Sequence, residues 1–340
     1  MTRGPARSLA AKSRYGKNIS HLRHPSKARL DTASEPRECW QVRAISLLFP
    51  LSLFAVPLAG QAPASAALWR VAAASLAVPP ALQVGPLALA WNPAAGPATS
   101  GFSGGLEIVH TSSTLGISGF SGDLTTSVGR RARLGLALGR LDVRDLVRTS
   151  TSPGSVAGSI PVYTQYAGLG GQLRWHTLTA GALLRVNNEQ FDVIRETGVT
   201  LDLGLHWKAT PRLTLAAATH FLPIDLTKQE TTDYYTGVEY EVFRAASVGG
   251  IPTSVAARYG LTYRSYDALE HGLSAGFVLG SFAGLDIALT REAAYGQHEW
   301  RPALALFLRV GRYEVDFARS SGLNDLGATY RVGLSIVFAR

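Results

Sequence analysis

At 340 residues the chain could hold two average domains, or one large barrel. A net charge of +9 suggests nucleic acid, but residues 1–42 carry nine Lys or Arg against three Asp or Glu and supply +6 of it, leaving 24 basic and 21 acidic side chains elsewhere. The basicity belongs to the leader, so nucleic-acid binding loses its support. The one cysteine, Cys39, precedes the expected mature chain, which excludes disulfides and thiol chemistry there.

In chain order, residues 1–42 form a basic leader without apolar periodicity, expected to lie outside the mature fold. Met1 is the only methionine, and synthesis is expected to begin near Val42 at a non-Met codon. Residues 43–66 read as a secretory signal: Arg43, then sixteen uncharged residues from Ala44 to Ala59, then Ala64-Ser65-Ala66 as a cleavage motif. From Val71 to Leu106 no residue is charged, yet Pro79, Pro80 and Pro86 break any run long enough for a membrane helix. A short helix over Val71–Ala77 is expected, then irregular chain ending in Trp91-Asn92-Pro93-Ala94-Ala95. Such backbone is tolerated at membrane depth only where protein covers it. Residues 67–104 are therefore expected to form a hatch inside a barrel.

From residue 105 to 338 the pattern is a period of two, the signature of strands with one apolar face. Val199, Leu201, Leu203, Leu205 and Trp207 share one face against Asp202, Gly204 and His206. The design recurs at Leu134–Leu138, Val255–Tyr263, Leu273–Leu279 and Tyr313–Phe317, and most clearly at Tyr330, Val332, Leu334, Ile336 and Phe338. Repeated this often, it predicts an all-β fold, an antiparallel transmembrane barrel with lipid outside and water inside. Barrels of this kind alternate short periplasmic turns with longer outer loops. Short turns at Gly249-Gly250, Phe282-Ala283 and Gly311, with long links at Leu222–Thr236, Ser265–Glu270, Ala293–His298 and around Asn324, satisfy the alternation if Gly237–Val248 is a strand, though Arg244 breaks its outward face. The count is then about 14, with both termini in the periplasm and the protein in the cell outer membrane.

A signal peptide, an uncharged stretch ending WNPAA, strands such as TGVTLDLGLHW and a closing YRVGLSIVF together resemble the FadL-like outer-membrane superfamily, and within it most the PorV/PorQ branch. The resemblance covers roughly residues 70 to 338. It implies a 14-stranded barrel whose hatch carries Asn92, Pro93 and Ala94. In one departure, Ala339 and Arg340 follow the closing aromatic, Phe338, which is usually terminal in such barrels.

With the outward faces assigned, the inward candidates are Arg174, Arg185, Asp202, His206, Arg258, Asp286, Arg309, Glu314, Asp316 and Arg331. They would either make a selective lumen or pair with one another and fill it. No Ser or His is marked out as catalytic. The six histidines beyond the leader lack ligand spacing, so no metal is expected; Gly168–Gly171 opens no helix and is followed by no Lys, so no phosphate loop and no cofactor is expected either. The expected partners are outer-membrane lipid, the barrel-assembly machinery, and either a small hydrophobic ligand or a secreted protein. Two functional readings follow: a channel or carrier for small apolar compounds, or a non-conducting barrel that docks secreted proteins, as the PorV/PorQ resemblance implies. A soluble β-protein is the third reading.

Overall fold

The computed structural model describes residues 64–339 apart from 97–100, 150–155, 225–231, 249, 265–268, 295–296 and 323–326; the leader and nearly all of the expected signal segment lie outside the described residues. A helix, α1 (Ala64–Ala74), and one 3-10 turn (Pro80–Leu82) precede the strands. These are β1 (Gly101–Thr111), β2 (Ile117–Val128), β3 (Ala132–Val143), β4 (Val147–Thr149), β5 (Val156–Ser159), β6 (Val162–Trp175), β7 (Leu178–Phe191) and β8 (Ile194–Lys208). There follow β9 (Leu213–Pro223), β10 (Asp233–Val248), β11 (Ile251–Arg264), β12 (Glu270–Leu279), β13 (Ala283–Ala294), β14 (Gln297–Val310), β15 (Tyr313–Ser321) and β16 (Ala328–Ala339).

Among the described residues fourteen strands close into one antiparallel barrel, sealed by β1 against β16, while β4 and β5 form a separate hairpin in the link from β3 to β6. Closure leaves no unpaired strand edge, which is what a hydrocarbon environment demands of a sheet. The outward faces are those the alternation predicts. Leu106, Leu136, Leu203, Leu273, Leu304 and Leu334 are all exposed and form the middle of an apolar belt. Exposed aromatics flank the belt: Phe102, Trp175, Trp207, Tyr313 and Phe338 towards the short turns, and Phe120, Tyr234, Tyr263, Trp300 and Tyr330 towards the other end. An apolar band between two aromatic girdles is the surface of an outer-membrane barrel.

The short turns at 129–131, 176–177, 209–212, 280–282 and 311–312, and the link from β10 to β11, share one end with the start of β1 and the end of β16. At the opposite end several strands outrun the roughly 9–11 residues a membrane crossing needs; β8 has fifteen. There the outward faces turn polar, with Arg140 paired to Asp142 at 2.6 Å and Tyr163 bonded to Asn188 at 3.2 Å. This projection explains one misplaced loop. The link expected at Ala293–His298 is mostly ladder, since Ala293 pairs with His298 and Ala294 with Gln297; polar residues on a strand beyond the membrane imitate a loop.

Other boundaries shift for local reasons. The expected Val71–Ala77 helix is instead Ala64–Ala74, an alanine-rich run of strong helix formers. It accommodates the charged Arg70 because Asp233 of β10 accepts its guanidinium at 2.6 Å, and it starts within the Ala64-Ser65-Ala66 motif. The first strand begins at Gly101 rather than 105, and β10 at Asp233 rather than Gly237. Irregularities in the β10–β11 register between Glu241 and Phe243, and again before Ala246, reset the face. Arg244 thus sits near the short-turn rim, 56% exposed and 3.5 Å from Glu241, where a long side chain can reach water.

Candidate functional site: the segment against the inner wall

The inner wall is polar, and it holds the N-terminal segment by its backbone. Irregular chain at membrane depth must find partners for its N–H and C=O groups; here some are met within the segment, as Asn92 N–H to the Ala88 carbonyl at 2.7 Å, and others by wall side chains. The Leu89 N–H donates to Asp123 Oδ2 at 3.1 Å, Arg185 donates to the Ala90 carbonyl at 2.5 Å, and His220 Nε2 meets the Trp91 carbonyl at 2.6 Å. Since a carbonyl can only accept, that nitrogen carries the His220 proton. Three consecutive residues are thus bound by β2, β7 and β9. At the end of α1, Arg331 of β16 donates to the Ala72 carbonyl at 2.5 Å and to Ser75 Oγ while pairing with Glu107 of β1.

Apolar packing adds to this. Trp69, Leu89, Trp91, Leu141, Tyr166 and Leu183 form one buried cluster with further residues of the segment and of β1, β3, β6, β7 and β9, and Trp69 meets Tyr166 edge-on with centroids 4.9 Å apart. Burying a side chain such as Leu89, 1% exposed, stabilises by roughly 1.5–3 kcal/mol.

Asn92, Pro93 and Ala94 are all buried. The Asn92 amide donates to the Ala81 carbonyl at 2.5 Å and to the Leu205 carbonyl of β8 at 3.4 Å, and its Oδ1 accepts the Ala94 N–H at 3.0 Å. The last bond closes an Asx-type turn, for which Asn is suited. The turn fits because Gly181 of β7 and Gly204 of β8 face it. A Cβ on Gly204 would strike Asn92 Oδ1 and Ala94 N, and one on Gly181 the Pro93 carbonyl. An Arg at Gly204 would displace this turn.

The inward candidates fall into three groups. Arg185 and Asp202 form a buried pair at 2.5 Å; Asp202 also accepts the Phe221 N–H at 3.0 Å where the β8–β9 register shifts, and Arg185 lies over the Tyr166 ring at 4.5 Å. Together with Arg331, this pair touches the segment. A second group pairs within the wall: Arg258 bridges Glu239 at 2.6 Å and Asp286 at 2.5 Å, and Arg309 pairs with Glu314. Asp316 lies half-buried beside Gly333. Arg174 and His206 belong to the third group, lining a cavity of about 900 Å³ at the short-turn mouth whose floor includes Val84, Pro86 and Ala94 of the segment.

Asp123, His220 and Asp233 also hold the segment, and Glu107 pairs with Arg331, yet all four are absent from the sequence-based set. Parity could have found Glu107, which alternates with Leu106 and Ile108. His220 carries no comparable signal, because β9 reads LTLAAATHFLP with small residues on both faces.

No protein-family profile and no curated protein sequence matches the chain. Among solved structures, the Pseudomonas putida toluene transporter TodX is similar with a TM-score of 0.52, at 13% identity over 77% of this chain and 95% of that one. The Ralstonia pickettii toluene transporter TbuX gives 0.48 at 14% identity over 74% and 93%, and the Acinetobacter baumannii outer membrane protein Omp33 gives 0.43 at 8% over 71% and 99%. At 13% identity the likeness to TodX is one of fold, and with the apolar belt and closed ladder it makes this chain an outer-membrane β-barrel.

Proposed function

We propose that the protein is an outer-membrane channel or carrier for small hydrophobic compounds, with residues 64–96 as a hatch that occludes the lumen. The observation that carries this reading is the seating of Asn92-Pro93-Ala94 against Gly181 and Gly204 on the inner wall of a closed barrel. The hatch packs its apolar side against Leu141, Leu183 and Phe221, contacts that a compact hydrocarbon could replace when the segment shifts. Similarity in fold to a toluene transporter supports the apolar substrate class, and the FadL-like resemblance supports the hatch.

Uptake of labelled toluene by cells with an intact outer membrane tests the proposal. Cells producing the protein should take it up faster than cells lacking it. Equal rates, together with recovery of the barrel in a stable complex with a secreted protein, would overturn it in favour of the docking role that the PorV/PorQ resemblance implies.

A further inference from the structure

The cavity at the short-turn mouth is strongly and asymmetrically charged. Arg130 and Arg131 on the β2–β3 turn, Arg133 on β3, Arg174 on β6, Lys208 on β8 and Arg312 on the β14–β15 turn all line it. Its carboxylates are already engaged, Glu239 by Arg258 at 2.6 Å and Glu314 by Arg309. Among the described residues no carboxylate pairs with Arg130, Arg131, Arg174 or Lys208.

The ladder explains the clustering. The Arg174 N–H bonds to the Arg131 carbonyl at 2.8 Å, so β3 and β6 bring their arginines to one level, and Arg133 and Arg174 stand within electrostatic reach of each other. On the far side of β7, Thr179 pairs with both Arg174 and His206, and Lys208 follows His206 on the same face. The result is an arc of like charge around a concavity, a geometry that focuses potential and attracts anions. Its floor is different in character: Val84 and Pro86 of the N-terminal segment present apolar surface.

We propose that this vestibule binds a compact organic anion with an apolar body, an aromatic carboxylate being the chemistry that fits best. The carboxylate takes charge-assisted bonds from Arg174, whose planar fork matches its two oxygens, and from Lys208, and the ring lies on the Val84 and Pro86 floor. Basic groups set inside the mouth, on strands as well as on turns, favour a ligand that enters the concavity over a macromolecule that covers it. The site does not depend on transport through the lumen, so its failure and the failure of the channel reading are separable.

Titration calorimetry of the intact, detergent-purified protein tests it with benzoate as the probe, and with benzyl alcohol and inorganic phosphate as comparisons. Benzoate should bind saturably and more weakly as salt rises, with both comparison compounds at least about tenfold weaker, the cost of losing a charge-assisted bond or an apolar contact. Arg174→Gln/Lys208→Gln, with heat-modifiable gel mobility reporting its fold, should weaken benzoate about tenfold or more. If that variant is unfolded, Arg131→Gln on the exposed turn should still weaken benzoate measurably. Any one of three results would overturn the proposal: no saturable benzoate binding to the intact protein, benzyl alcohol or phosphate binding as tightly as benzoate, or unchanged benzoate affinity in the folded variants.

Discussion

Gly181 and Gly204 are cross-strand partners on β7 and β8, and the space their missing side chains leave is occupied by Asn92, Pro93 and Ala94. A Cβ at either glycine would meet backbone or a fully buried amide, and neither can be moved without moving the turn. Gly204→Leu should therefore leave the strand ladder intact and dislodge the segment. The expected outcome is a folded band in heat-modifiable electrophoresis combined with new protease cleavage within residues 84–96. A folded variant with the segment still protected would contradict the seating.

The neighbouring position tests the outer face. Leu203 is 41% exposed on the lipid side, and an arginine near mid-strand facing hydrocarbon costs about 2–4 kcal/mol. Urea unfolding of Leu203→Arg in lipid vesicles should show a loss of that size, whereas Gly204→Leu should change ladder stability less. Equal losses would contradict the assignment of Leu203 to the lipid face.

Arg185 and Asp202 are buried, and each binds backbone as well as the other. Removing one partner leaves an uncompensated charge out of water, a cost of about 3–5 kcal/mol. Arg185→Met should lose that much in urea unfolding, and Arg185→Met/Asp202→Asn should lose clearly less than the two single variants summed. Additive losses would show that the pair is not coupled.

The strands were legible because lipid imposes one rule on every outward residue. Leu134, Leu136 and Leu138 or Val332 and Leu334 alternate with glycine and polar groups whatever else those residues do. Boundaries were less legible where strands leave the membrane, since Ala293 and His298, read as the ends of a loop, are partners across the β13–β14 ladder. The inner wall was legible only as polarity. That Arg185 and Arg331 bind the segment, while Arg258 and Glu314 pair within the wall, depends on where irregular chain places its carbonyls, and periodicity carries no such information. Arg70 shows the same limit: a charge in the leading segment looks misplaced until Asp233, 163 positions away, closes on it.

If residues 64–96 occlude the lumen, as proposed, single-channel recording in planar bilayers will register their removal. Deleting Leu68–Gly96 removes the Asn92 turn and the segment's own bonds to Arg185, His220 and Arg331 while leaving the ladder that closes the barrel. The deleted form should fold, by heat-modifiable mobility, and conduct in larger and longer-lived steps than the intact protein. A folded deletion form whose conductance equals that of the intact protein would contradict the account.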